Sequence, residues 1–527
     1  MKQQYQSALV FSITALLLTA CGGGSNSSEA APQPKPPSIT ASIVDHDNNF
    51  AWELNENINI KLVDQDNQPV AIKSCKTDDS VRLTITENCA NLTIHRLGET
   101  AITVTGANDL TAKLTINGVP TSSPLQLSAS GTNPFHQVVT ADRKILAWGD
   151  NSSGLLANRY PLSHGLIQYP QTIIKDQNAN PLTDIYQVVS SFWTSYALNS
   201  KGQVYGWGRV NDAGSVDLVS LPTLVNDNSG RQPLKNIVRL AISGSIEDAA
   251  GGVLGITDEG KLMQMGFSHR SQPTGLVLDD RGAELTNIRA IALTSNVAYA
   301  VNVQGQVYRW KLNPFTSRDF TMVKDLDGNL ITGVTKIVTR GDHTLALTKQ
   351  GQVYVWDTIS SFHLADQRFD DTHYSMEISD KIRSGEHQLT QPVQYQGQAL
   401  SNIKDIGVTF TNSYAVSQSG QVYVWGQDNK GLLGQGIDDS NRNGTKKPIL
   451  VIDENKQDSL SNVIAITTAN DAVLALKQDG TLVGWGSNNY GLLTQDNPNQ
   501  TFSYPVVIQS TKGQALKLDV AKYTQLN

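Results

Sequence analysis

One short stretch, Gly420-Gln421-Val422-Tyr423-Val424-Trp425-Gly426, recurs along the chain and constrains its fold more than any other feature. It returns as Gly351-Gln352-Val353-Tyr354-Val355-Trp356, as Gly305-Gln306-Val307-Tyr308-Arg309-Trp310 and as Gly202-Gln203-Val204-Tyr205-Gly206-Trp207-Gly208. Gly480-Thr481-Leu482-Val483-Gly484-Trp485-Gly486 is a further copy, and weaker ones end at Trp148-Gly149 and Met265-Gly266. In each the side chains alternate, Tyr and Trp on one face and Val with a variable residue on the other, which is the period of a strand. In six of the seven copies a two-residue turn ending in Gly comes first, because hairpin turns need positive φ.

Each copy sits in the same grammar. An apolar strand such as Val334–Val338 leads through a short turn to a second, such as Thr344–Thr348. The Val-Tyr-x-Trp strand follows as the third. A fourth is expected after a proline at Pro170, Pro222, Pro273, Pro392, Pro448 or Pro505. Four strands in each of seven repeats predict a β-propeller, whose blades cover one another's faces. The grammar resembles the RCC1 repeat family, most closely in Asp428-Asn429-Lys430-Gly431-Leu432-Leu433-Gly434 and in Gly341–Thr348. The resemblance implies a seven-bladed propeller over residues 125–527.

The copies also depart from one another. The Asn/Asp-x-x-Gly-Leu-Leu element survives only at Asn151–Leu156, Asp428–Leu433 and Asn488–Leu493. Spacing between copies is shortest from Met265 to Trp356 and longest after Trp356, so the chain there carries insertions, which repeat proteins place on one face. The insertion from residue 357 to about 391 holds His363, His373 and His387, three of the nine histidines. It also holds Phe362, Phe369 and Tyr374, aromatic residues suited to anchoring a partner. No H-x-x-x-H or H-E-x-x-H spacing supports a metal there, so no metal and no cofactor are expected. Trp193, in a turn that is usually small or polar, is a further candidate contact. The repeat tryptophans read as blade core, since each occupies the same alternating position.

Residues 1–20 read as a signal peptide ending Leu18-Thr19-Ala20 before Cys21, which resembles the lipobox of bacterial lipoproteins and implies lipidation of Cys21. Residues 21–37 form a Gly/Ser/Pro tether. Residues 38–119 carry short alternating runs separated by turn signals, and Gly98–Gly106 resembles the closing strands of bacterial Ig-like domains. The fold expected is therefore all-β, a small Ig-like β-sandwich preceding a seven-bladed propeller. Cys75 and Cys89 are expected to form a disulfide in an exported chain. Asp45–Glu56 has the outline of an EF-hand loop, but Phe50 stands where that loop needs Gly, and a polar turn fits better.

The net charge of -7 and the lack of a basic stripe argue against nucleic acid. Nucleophile elbow, P-loop, dinucleotide fingerprint and zincin motif are all missing, so an enzyme is not expected, apart from a glycan-active site assembled from loops. The function expected is that of a monomeric, lipid-anchored module of the cell envelope, at the outer membrane, binding a protein or polysaccharide. The alternative is inhibition of an envelope or extracellular hydrolase, as in the RCC1-like propellers that block β-lactamases. Nucleotide exchange on a small GTPase, associated with the family's founding member, is set aside because the chain reads as exported and acidic.

Overall fold

The structure is a computed structural model that describes residues 37–520 except 45–50, 54–56, 87–88, 90, 121–134, 152–153, 158–166, 172–173, 177, 179, 192–193, 213–214, 228, 230, 243–252, 266–274, 295–296, 313–319, 326–327, 341–342, 357–390, 437–443, 470 and 495–499. Its regular structure is almost entirely β.

Residues 37–120 form three small sheets that share one core, with Ile43, Ile58, Leu92, Ile94, Ile102, Val104 and Ile116 at its centre. The long antiparallel pair Gly98–Gly106 and Thr111–Val119 alternates buried with exposed residues, as a sheet with one covered face must. Ile72–Thr77, a strand that the sequence reading passed over, pairs with Gly98–Gly106 and carries Cys75, which is joined to Cys89 by a disulfide.

From Phe135 onward seven antiparallel sheets follow one another, six described from four strands and the first from three. In the six, strand order within the sheet is sequence order, so each is a simple meander. From the second sheet to the seventh, the first strand of each sheet packs on the first strand of the next, which places these strands around the common axis of a propeller. The first of them, in sheets two to seven, carry a register shift after their opening residue, as at Ile185/Gln187, Val334/Lys336 and Ile403/Asp405. Side chains just past that bulge tie neighbouring sheets together. Gln187 accepts from Leu240 N at 2.7 Å and donates to Leu240 O at 2.9 Å; Asp405 accepts from Ile466 N at 2.9 Å and pairs with Lys336.

The Val-Tyr-x-Trp stretch is the third strand of its sheet. Its Trp points back at the preceding sheet and its Val pair forward at the next, so Val353 and Val355 lie in one cluster with Trp425. Where Gly follows the Trp, its backbone turns to positive φ, as at Gly426, and the ladder to the fourth strand shifts register. A Cβ on Gly426 would stand 2.2 Å from Thr411 O, so only glycine fits. The prolines expected before the fourth strand lie inside it: Pro170, Pro222, Pro392, Pro448 and Pro505. That strand is the outermost of its sheet, where a residue without an N–H costs no ladder bond. Pro273 lies outside the described residues.

The ends of the propeller meet. Val138 and Trp148 of the first sheet share a hydrophobic cluster with Leu474, Leu482, Leu492 and Phe502 of the last, and Trp148 Nε1 donates to Leu492 O at 2.9 Å.

Candidate functional site

Strand direction alternates within each sheet. Turns between first and second strands therefore emerge on the same face as the connections between third and fourth strands, and this face carries the insertions. The tight Gly turns between second and third strands lie on the opposite face.

On the insertion face the turn after the first strand is usually closed by a small hydroxyl. Ser191 Oγ accepts from Thr194 N at 3.2 Å, Thr294 Oγ1 from Val297 N at 3.1 Å and Thr409 Oγ1 from Asn412 N at 2.9 Å. The corresponding residues elsewhere are Ser243, Ala469 and, in the fifth sheet, Arg340. Arg340 is the one large cation of this series. Burial pushes its guanidinium down to about 10, against the opposing pull of Asp471 in the turn of the seventh sheet. Asp471 also pairs with Lys430, beside the sixth sheet's Gly-Leu-Leu element, and Thr411 donates to Asn429 Oδ1 at 3.0 Å in the same region. Asp471 thus pairs with Lys430 of the sixth sheet, and its charge reaches Arg340 of the fifth.

Further cations sit on the axial strands. Arg239, Arg289, Lys336, Arg340 and Lys404 are found there, against Asp405 as the one carboxylate among the described residues. In a chain of net charge -7 the described axial strands thus carry a local excess of cations. Arg289 donates to Val334 O while its Nε is buried without a partner among the described residues, and burial lowers its affinity for the proton. A two-stranded arm also rises from the insertion face, where the third and fourth strands of the second sheet run on past Gly208 from Arg209↔Leu218 to Asp212↔Ser215.

Of the residues singled out from sequence, Cys75 and Cys89 come together. Cys21, Trp193, Phe362, His363, Phe369, His373, Tyr374 and His387 lie outside the described residues. The cluster of Arg340, Lys430 and Asp471 was missed. Its one signal in the sequence is the arginine in a series otherwise made of Ser, Thr and Ala. The Gly-Leu-Leu element proves structural. The carbonyl of its first leucine takes the indole N–H of the next sheet's tryptophan: Trp207 to Leu155 O at 2.7 Å, Trp485 to Leu432 O at 3.1 Å and Trp148 to Leu492 O. Asn151 and Asn488 fix the turn by accepting from Leu156 N at 2.9 Å and Leu493 N at 2.7 Å.

Residues 419–476 match the model of the Regulator of chromosome condensation (RCC1) repeat. The chain carries an RCC1-like propeller. Protein RCC1 of Candida albicans is 26% identical over 272 residues, covering 47% of this chain and 55% of that protein. Guanine nucleotide exchange factor SRM1 of Saccharomyces cerevisiae is 24% identical over 274 residues, covering 47% and 54%. The chain thus spans about half the length of these curated relatives. Among solved structures, Prp20p of Saccharomyces cerevisiae, described with its binding to Gsp1p and histones, shares the fold with a TM-score of 0.51 at 14% identity, covering 75% of this chain and 95% of that one.

These matches correct three expectations. An envelope binding module, or a hydrolase inhibitor, with exchange set aside, does not agree with relatives that include a guanine nucleotide exchange factor. The net charge and the missing catalytic motifs never bore on that activity, since exchange needs a protein-binding face and no covalent chemistry. The expectation of an unspecified protein or polysaccharide partner is not what these proteins point to, Prp20p being described with its binding to Gsp1p and histones. The lipid-anchored envelope address rested on residues 1–21, outside the described residues, and the fungal relatives do not support it.

Proposed function

We propose that this chain is a guanine nucleotide exchange scaffold that acts by binding a small GTPase, with its seven sheets as the seven blades of a closed ring over residues 125–527 and residues 38–119 as an Ig-like appendage. The observation that carries the reading is the match of the repeats to RCC1-type proteins, one of them named as an exchange factor. Such a factor releases nucleotide by binding the empty GTPase more tightly than the loaded one, so all its work is differential contact. The insertion face offers the parts for it: the arm beyond Gly208, the Arg340–Asp471–Lys430 cluster, and the basic axis facing an acidic segment of the partner.

The test is release of a fluorescent GDP analogue from Gsp1p, measured with the purified chain. Acceleration is expected. Asp471→Ala, which removes the carboxylate that pairs with Lys430 and acts on Arg340 through its charge, and replacement of residues 209–218 by a tight turn should each cut it by roughly tenfold, about 1.4 kcal/mol of coupling. Melting of the ring should be unchanged. A chain that neither binds Gsp1p nor speeds release from it, while folded, sinks the proposal.

A further inference from the structure

The face with the tight Gly turns, opposite the insertions, holds a contact between the two parts of the chain. Arg96 and Leu97 form the tip between the strands Leu92–Ile94 and Gly98–Gly106. Leu97 is buried, yet it is not part of the cluster that makes the core of its own unit. Its cover comes from the propeller. A Cβ built on Gly202, in the tight turn of the second sheet, would lie 2.6 Å from Leu97 Cδ1 and 2.7 Å from Asn236 N and Ile237 N. The leucine therefore fills a notch that exists because Gly202 has no side chain. Asp258, in the corresponding turn of the third sheet, closes the notch: its carboxylate Oδ2 accepts from Leu97 N at 3.2 Å and its carbonyl O accepts from the Arg96 guanidinium.

The notch is particular to this pair of sheets. The residue equivalent to Asp258 is Ala141, Ser200, Val303, Lys349, Gln418 or Gln478 in the other turns, none of which offers a carboxylate to a peptide N–H. Burial holds the Asp258 carboxyl above its ordinary value, with Glu259 adding to the rise and the Leu97 N–H, Arg96 and Arg82 opposing part of it. The half-buried carboxylate loses the N–H that favours its charged form when the Arg-Leu tip leaves.

We infer that the notch formed by Gly202, Asn236 and Asp258 is a recognition site for an Arg-Leu turn, and that the chain fills it in cis, latching its N-terminal unit onto the propeller. The latch closes the rim of the second and third sheets to other proteins and leaves the insertion face open. It is independent of what that face binds.

The experiment measures the distance between spin labels on the full chain, at Lys113→Cys in the N-terminal unit and Lys447→Cys in the sixth sheet, in a Cys21→Ser background. Both positions are exposed. A single narrow distribution is expected, kept by Leu97→Met and broadened at least twofold by Leu97→Asp and, from the propeller side, by Asp258→Arg. Thermal melting of each variant reports whether both units stay folded. A distribution that stays narrow in both disruptive variants overturns the latch. Broadening by Leu97→Asp with no effect of Asp258→Arg overturns the assignment of Asp258 and with it the Arg-Leu specificity.

Discussion

The first, sixth and seventh sheets and the fourth are built from one repeat, yet they treat the tryptophan of their successor differently. Sheets one, six and seven present a Gly-Leu-Leu carbonyl to that indole. The fourth has no such element, and Trp356 Nε1 of the fifth sheet is buried with no partner among the described residues. The outer strands differ in the same sense. Where Gly follows the Trp the fourth strand spans five residues or more, as in Ile167–Gln171 and Thr501–Val507, whereas the third, fourth and fifth sheets have two-residue fourth strands. Apolar packing between sheets is common to all seven. The Gly-Leu-Leu carbonyls that take an indole N–H lie in the segment that brings the ends of the ring together, while Gln187, Arg289 and Asp405 supply polar ties of another kind between other neighbouring sheets.

The comparison can be broken most directly by emptying a locked position. Trp485 is fully buried between the sixth and seventh sheets, and Trp485→Ala should cost about 3–5 kcal/mol in denaturant unfolding. A loss below about 1 kcal/mol would mean the sheets do not depend on one another through this residue.

A second effect belongs to the seam. The residue opposite the Trp is Ser195, Ala298, Thr344, Ser413 or Val473 in other sheets, but His136 in the first. Both its ring nitrogens are buried without hydrogen-bond partners among the described residues, its ring lies 5.0 Å from that of Trp148, and burial lowers its pKa from 6.5 to about 3. Being depressed in the fold, it leaves stability intact above about pH 6.5, where both states are neutral. Below that the unfolded chain takes up a proton that the folded one refuses, so stability falls as pH drops towards about 3. At pH 4.5 the loss attributable to His136 should be about 2–3 kcal/mol. His136→Ser should flatten the acid limb of a stability–pH curve, and an unaltered limb would remove His136 from the account.

The finest test grades the indole bonds themselves. Trp→Phe removes the N–H with a similar loss of packing at each site. At Trp148 it strips the indole donor from Leu492 O, and should cost about 1–2 kcal/mol more than at Trp356, which has no bond to lose. Trp207 and Trp485 should fall between, because Leu155 O keeps Gln137 Nε2 at 3.0 Å and Leu432 O keeps the Tyr414 hydroxyl at 2.8 Å. Equal costs at all four positions would show that the indole bonds do not distinguish the sheets.

Much of this frame was legible in the residues. Period-two alternation in Val-Tyr-x-Trp located the third strands, and Gly before them located their turns; Arg143 takes that turn's left-handed backbone in the first copy and lies 3.9 Å over the ring of Tyr186. Proline was misplaced because its meaning depends on which strand is outermost, which spacing does not reveal. The influence of Asp471 on Arg340 was out of reach for a deeper reason. The two residues lie in turns of different sheets, and only the ring makes them neighbours. Composition misled most about function, since net charge describes the whole surface and hides a local excess of cations such as that on the axial strands.

The bond between Trp148 and Leu492 spans 344 positions of sequence. During synthesis the first sheet is complete long before its partner exists, and it must wait with an apolar flank uncovered while six more sheets are added. Contacts of such long range make closure slow relative to the folding of each hairpin. The order of manufacture therefore gives this ring a vulnerable interval that ends only when its last sheet emerges, and the first sheet is the place where a nascent chain would most need shielding.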